Sequence, residues 1–140
     1  MVSGVLITPL RRIENPKGDI YHAMKLSSDG YVKFGEAYFS SIHMGVIKGW
    51  KRHLEATLNL VVILGSIKFV VYDSSAKEFF EIILGPNNYA RLTVEPGLWV
   101  AFEGLGEREN MLLNISSLEH DPEEAENIDL SKIYYLWDKE

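Results

Sequence analysis

The 140-residue sequence predicts an all-β fold, a sandwich or closed barrel of about nine short strands. Three observations predict it. Short runs rich in Val, Ile, Tyr, Phe and Thr recur along the chain. Clusters of Gly, Pro, Asn and Asp separate them at hairpin spacing. Helical periodicity surfaces only in one acidic stretch near the end.

In chain order, "VLITPL" (5–10) opens the series, followed by "GDIYHAMKLS" (18–27) with an approximate apolar alternation, and by "GEAYFSSIHMG" (35–45). "TLNLVVIL" (57–64) and "SIKFVVYD" (66–73) are parted by Gly65, and "YDSSAK" reads as the hairpin loop into "EFFEIIL" (78–84). The turn chemistry of "GPNN" and "EPG" brackets "ARLTVE" (90–95), after which come "LWVAFE" (98–103) and "NMLLNISS" (110–117). "DPEEAENI" (121–128) offers Asp121 as an N-cap, Pro122 in the first turn and an acidic start, so it predicts one short C-terminal helix. The surrounding run "EHDPEEAE" reads as a solvated face.

The length suits one domain over residues 1–140, and no repeat, low-complexity tract or linker interrupts it. A formal net charge of −6 gives no general attraction to nucleic acid or to anionic membranes, so neither is an expected partner. No cysteine is present, which removes disulfides and thiolate metal sites. Pro9, Arg11, Arg12, Glu14 and Pro16 break up the first twenty residues, and no apolar stretch is long enough to span a bilayer. A cytoplasmic location is expected.

The segment most suggestive of chemistry is "GVIKGWKRHLEATLNLVVILGSIKFVVYD" (45–73), whose one histidine is His53. A divalent metal needs several convergent lone pairs, and the ammonium of Lys51 beside His53 supplies none and repels a cation. No metal and no cofactor are expected. His53 is then either a general base or a polar residue at the start of a strand.

Three further observations bear on a ligand. Asn59 and Asn114 interrupt the apolar runs "TLNLVVIL" and "NMLLNISS", and a buried amide must be hydrogen-bonded. Both amides facing one cavity would suit the hydroxyls of a sugar, and bonding to a neighbouring strand is the alternative. Arg91 and Glu103 flank the Pro-Gly turn and fit either a binding site or a rim salt bridge. Trp50, Trp99, Tyr38 and Phe39 could stack on a ring, pack a core or form a dimer interface.

The spacing of Gly45, His53, Gly65 and the Glu95-Pro96-Gly97 turn resembles the two motifs of the cupin superfamily. Gly45 and Gly65 fit the outer glycines of its first motif and His53 its second histidine. Lys51 stands at the first histidine, and Thr57 or Leu58 at the glutamate. Its second motif corresponds to Glu95, Gly97 and Val100.

Within that superfamily, residues 15 to 125 resemble the dTDP-4-dehydrorhamnose 3,5-epimerases and the nucleotide-sugar 3,4-ketoisomerases. "KGDIYHAMK" is similar to the RGFF segment, "GVIKGWK" to GVLRGLH, "LNLVVILGSIKFVVYD" to KLVRVVRGEVFDVAVD, and "EPGLWVAF" to PPGFAHGF. The resemblance implies a cupin-type double-stranded β-helix, that is, a jelly-roll barrel. It also implies a metal-independent epimerase or isomerase of a nucleotide-linked 4-keto-deoxysugar in cell-surface polysaccharide biosynthesis, acting as a homodimer. The apolar strand "VLITPLRR" is an edge that a partner copy could cover.

Several positions depart from the family pattern. Lys51 and Val100 replace two histidines, Leu58 replaces a lysine, and about Asn114 replaces the tyrosine acid. The family's 3,5-epimerisation route is therefore not expected. The ketoisomerase pattern R-G-x-H-A-H keeps His53 as its second histidine, which makes His53 the candidate catalytic base. The resemblance assigns basic residues to the diphosphate, here Lys48, Lys51 and Arg52 with Lys17 near them, and Asn59, Arg91, Glu103 and Asn114 complete the expected substrate-binding set. Two other functions stay open: a non-catalytic carbohydrate or nucleotide-sugar binder, and a structural or assembly protein that retains the fold.

Overall fold

A computed structural model describes residues 2–138. Its strands, in chain order, are β1 (Val5–Pro9), β2 (Arg12–Ile13), β3 (Ile20–Tyr21), β4 (Glu36–Ile42), β5 (Ile47–His53) and β6 (Leu58–Leu64), then β7 (Ile67–Asp73), β8 (Glu78–Leu84), β9 (Ala90–Val94), β10 (Trp99–Gly104), β11 (Asn110–Ser116) and β12 (Ala125–Asn127). They form two five-stranded antiparallel sheets, β1-β9-β6-β11-β4 and β12-β5-β10-β7-β8, and a small β2-β3 ribbon. Consecutive strands β6 and β7 lie in different sheets, so the chain crosses between layers at Gly65. That residue has φ +70°, and a Cβ there would lie 2.3 Å from the Glu109 carbonyl oxygen, so only glycine fits. The all-β jelly-roll expectation holds.

The predicted helix over 121–128 does not form. Asp121 does cap, accepting a hydrogen bond from the Glu123 amide, but the turn is a single 3-10 turn, Pro122–Glu124. The chain then pairs as β12 with β5, because the backbone groups of an edge strand reward a partner more than one isolated turn does. Of the run 18–27 only Ile20–Tyr21 is strand.

The alternating residues of β6, β7, β9 and β11 fill the space between the sheets. Leu60, Ile67, Phe69, Val71, Leu92 and Leu112 are at most 2% exposed, and each such side chain contributes about 1.5–3 kcal/mol of transfer free energy. A second apolar layer lies outside the second sheet. There Trp50, Val70, Trp99 and Ala101 are covered by the C-terminal segment through Ile128, Leu130, Ile133, Tyr135 and Trp137. The Trp50 indole donates to the carbonyls of Leu130 and Ile133, and the Lys68 ammonium donates to that of Trp137. This strap explains why β7 reads as a continuous apolar run rather than an alternating one. Among the described residues no helix is long and apolar enough to cross a membrane.

Candidate active site

The sheets part at one end around a cavity of about 260 Å³, walled by Leu58, Leu60, Val100, Phe102 and Leu112 and edged by the polar side chains of Tyr38, Lys48, Lys51, His53, Asn114 and Asn127. A second lobe of about 170 Å³ shares Tyr38, Lys51, His53 and Asn127 with it and adds the acidic rim of Glu36, Glu119 and Asp121.

Strand β5 brings the basic residues in by a local irregularity. Its register with β10 shifts, so that Lys51 lies opposite Val100 but Lys48 opposite Phe102. The extra residue of this bulge lets Lys48, Lys51 and His53 all reach the cavity while Trp50 packs outward at 1% exposure. Gly49 permits the close approach, since a Cβ there would meet that of Ala101 at 2.3 Å.

His53 sits at the end of β5, with Nδ1 2.7 Å from Oε1 of Glu124. The other carboxylate oxygen of Glu124 accepts the backbone amides of Glu55 (3.0 Å) and Ala56 (2.9 Å). Burial pushes the Glu124 carboxyl towards its neutral form. The hydrogen bonds from His53 and the two amides, with the charge of His53, outweigh burial and hold its pKa below the ordinary value. An ionised carboxylate only accepts, so Nδ1–H is the donor, and of the two tautomers of the imidazole this bond selects the one whose free lone pair is on Nε2. Nε2 has no hydrogen-bond partner among the described residues.

Across from β5, strand β4 contributes Tyr38, whose phenol oxygen accepts a 2.9 Å hydrogen bond from Nδ2 of Asn114 on β11. Burial, and then the negative charge of Glu36, raise the Tyr38 pKa above its ordinary value despite that bond. The phenol is therefore protonated at neutral pH. The Lys48 ammonium donates to the Ser41 carbonyl at 2.6 Å, whereas the Lys51 ammonium makes no hydrogen bond or ion pair among the described residues.

Of the residues expected in the site, His53, Lys48, Lys51 and Asn114 line the cavity and four others do not. Asn59 and Arg91 face the outer side of the first sheet, because β6 turns Leu58 and Leu60 inward and Asn59 between them outward. There Asn59 donates to the Gly30 carbonyl and accepts from Arg91 Nε and the Thr93 hydroxyl. Arg91 also donates to the carbonyls of Ala23 and Asp29, clamping the 23–30 segment to the sheet. Glu103 faces outward from β10 and lies 3.8 Å from Lys68. Arg52 points to the opposite side of β5 from its neighbours, pairing with Glu126 at 2.6 Å and resting 4.5 Å over the Trp99 ring. Among the described residues no group of three or more metal-ligating side chains converges.

This frame is that of known sugar-modifying proteins. A dTDP-sugar isomerase of Desulfovibrio desulfuricans G20 superposes with a TM-score of 0.91 at 30% identity, covering 97% of this chain and 92% of its own. The chain belongs to the dTDP-sugar isomerase and epimerase family of cupin fold. More distantly, the sugar 3,4-ketoisomerase QdtA of Thermoanaerobacterium thermosaccharolyticum, solved with TDP, shares the fold at a TM-score of 0.76 and 18% identity, covering 89% of this chain and 88% of its own. In sequence, a probable low-salt glycan biosynthesis epimerase, Agl13 of Haloferax volcanii, is 25% identical over 96 residues. That match takes in 64% of this chain and 62% of the relative's length. No family model matches the chain.

Around this cavity, Glu124 is the residue that sequence reasoning missed. It sits in the run "EHDPEEAE", which reads as a solvated face, yet it is only 9% exposed. Its one signal was the Asp121-Pro122 cap, which fixes where the acidic run turns back under the 54–56 loop.

Proposed function

We propose that the chain is a metal-independent isomerase or epimerase of a nucleotide-linked 4-keto-deoxysugar, with His53 as base and Tyr38 as acid. The observation that carries this reading is the His53–Glu124 pair, which presents a basic Nε2 to a cavity that also holds a protonated phenol from the opposite sheet. An enolisable ketone needs that combination. Nε2 takes the proton from the carbon beside the ketone, the C–H electron pair becomes the new C=C bond, and the carbonyl electrons move onto oxygen. Tyr38 lends a proton to the ketone oxygen and recovers one when a C=O forms again, while His53 returns its own to carbon, so no atom is gained or lost overall. Lys51, unpaired in the cavity, meets the negative charge that develops on the ketone oxygen. Its ammonium next to the imidazole also disfavours a divalent ion there.

The nucleotide-sugar partner is supported by the TDP-bound neighbour, and a role in building a glycan by the glycan-biosynthesis relative. A homodimer is supported by the apolar outer face of the first sheet, where Phe39 on edge strand β4 is 61% exposed beside Leu113 and Ile115. Light scattering tests it, with a monomer as the contrary result.

The catalytic reading is tested by proton exchange in deuterated water on a panel of dTDP- and GDP-linked 4-keto sugars. The wild-type chain should exchange the α-proton of at least one, and H53N should lose about 10²–10⁴-fold of that rate. Binding without exchange on any member makes it a nucleotide-sugar binder instead.

A further inference from the structure

Asn114 presents a feature that the base and acid leave unused. It is 7% exposed and faces the cavity, and its Oδ1 is buried with no hydrogen-bond partner among the described residues. A buried acceptor without a donor is costly, and native folds keep few of them. Its other amide atom is committed, because Nδ2 donates to the Tyr38 oxygen. That bond also fixes the phenol. An oxygen that accepts from Asn114 turns its own O–H elsewhere, towards the cavity.

We propose that Asn114 reads a free hydroxyl on the sugar carbon that loses its proton, while aiming the Tyr38 proton at the adjacent ketone oxygen. This deepens the 4-keto-sugar reading and rests on it. Its substrate class is an α-hydroxy ketone, and its outcome is a keto shift rather than a simple inversion. His53 removes the carbon-bound proton and Tyr38 protonates the ketone oxygen, giving an enediol. The hydroxyl held by Asn114 then returns its proton to the Tyr38 phenolate as its own C=O forms. His53 delivers its proton to the former ketone carbon. The amide accepts a hydrogen bond throughout and is never protonated, so it is a specificity and positioning residue, not an acid or base.

The geometry suits this division because Asn114 and Tyr38 are direct cross-strand partners on β11 and β4. A hydroxyl on Oδ1 is therefore held beside the phenol. Leu60 and Leu112, the wall residues on either side of Asn114, offer a hydroxyl no competing acceptor, and the nearest other polar lining group is Ser40, two residues along β4 from Tyr38.

The test compares exchange kinetics on a 4-keto nucleotide sugar with a free α-hydroxyl and on its α-O-methyl analogue, for wild type and N114L. Wild type should prefer the free hydroxyl by about 10–100-fold in kcat/KM, the scale of one buried hydrogen bond with its partner left unpaired. N114L should flatten that preference to within about threefold. The basic limb of its kcat–pH profile should also move upward, because the hydrogen bond from Asn114 lowers the Tyr38 pKa. A merely structural role would lower activity on both substrates equally and leave the limb in place. A preference retained by N114L overturns the assignment. Exchange absent from the wild type on every substrate overturns the catalytic reading and this inference together. Far-ultraviolet circular dichroism, with N114S as a second variant, separates a misfolded protein from either result.

Discussion

Asn59 and Asn114 are the same residue type on adjacent strands of one sheet, each interrupting an apolar run, yet the fold uses them oppositely. Asn114 lies opposite Leu60 and Ile115 opposite Asn59, so the one-residue offset in pleat sends the two amides to opposite faces. On the outer face Asn59 is saturated, with Gly30, Arg91 and Thr93 all bonded to it. On the inner face Asn114 is half used, its carbonyl oxygen bare. A polar side chain whose bonds are all closed within the protein holds the fold together. One left open in a cavity is available to a ligand.

The hardest way to break this contrast is to empty the saturated side. N59L would leave the 1%-exposed Arg91 guanidinium and the Thr93 hydroxyl without their shared acceptor. We expect a loss of about 3–5 kcal/mol in unfolding free energy by urea titration, with the exchange rate per folded molecule retained. A comparable loss of turnover with intact stability would place Asn59 in the chemistry instead.

Next in size is Glu124, which belongs to both kinds. It closes two backbone amides of the 54–56 loop and also holds His53 towards the cavity. E124Q should lower exchange by about 10²-fold, since a neutral amide no longer enforces the proton on Nδ1. The carboxyl's folded pKa lies below its unfolded one, so its stabilisation is complete above the unfolded value of about 4.3 and drains as pH falls through the lower folded value. In acid-unfolding curves E124Q should therefore flatten the acid limb. An unchanged limb would mean the pair contributes nothing to folding.

The open side should be the cheaper one to alter for stability. N114L removes an unpaired acceptor and sacrifices one part-buried bond to a half-exposed phenol. Its unfolding free energy should stay within about 1 kcal/mol of wild type, against the several lost in N59L. Equal losses in the two variants would end the distinction between them.

How much of this could be read in advance follows from the same pleat. The regular strands β6, β7, β8, β9, β10 and β11 lie where their β-branched and aromatic runs put them, bounded by the Gly65 and Pro96-Gly97 turns. The glycine frame likewise marked the barrel. Strand β5 was hidden, because the bulge at Gly49 and Trp50 breaks the two-residue period on which strand recognition depends. Which face Asn59 or Arg91 takes is a matter of register, and a slip of one residue reverses it. Glu124 was illegible for another reason: among consecutive acids, only tertiary contact says which one is buried. The C-terminal helix failed because its capping residues were real but a waiting strand edge was the better partner.

The smallest effect concerns Glu103, the remaining polar residue that the sequence placed near the site. On β10 Val100 and Phe102 face the cavity, so Glu103 faces outward with its cross-strand partner Lys68. Their 3.8 Å separation is a loose contact, and Lys68 has a shorter bond, 2.9 Å, to the Trp137 carbonyl of the strap. A second acceptor that can relax towards water adds little to a cation already held. E103Q should change stability by no more than about 0.5 kcal/mol and leave exchange kinetics unaltered. Differential scanning calorimetry at low and high salt checks this, since a screened pair should shift even less in salt than in its absence. A salt-independent loss above 1.5 kcal/mol would show Glu103 anchoring the strap through Lys68, and would move it from the loosely used polar groups to the saturated kind that Asn59 exemplifies.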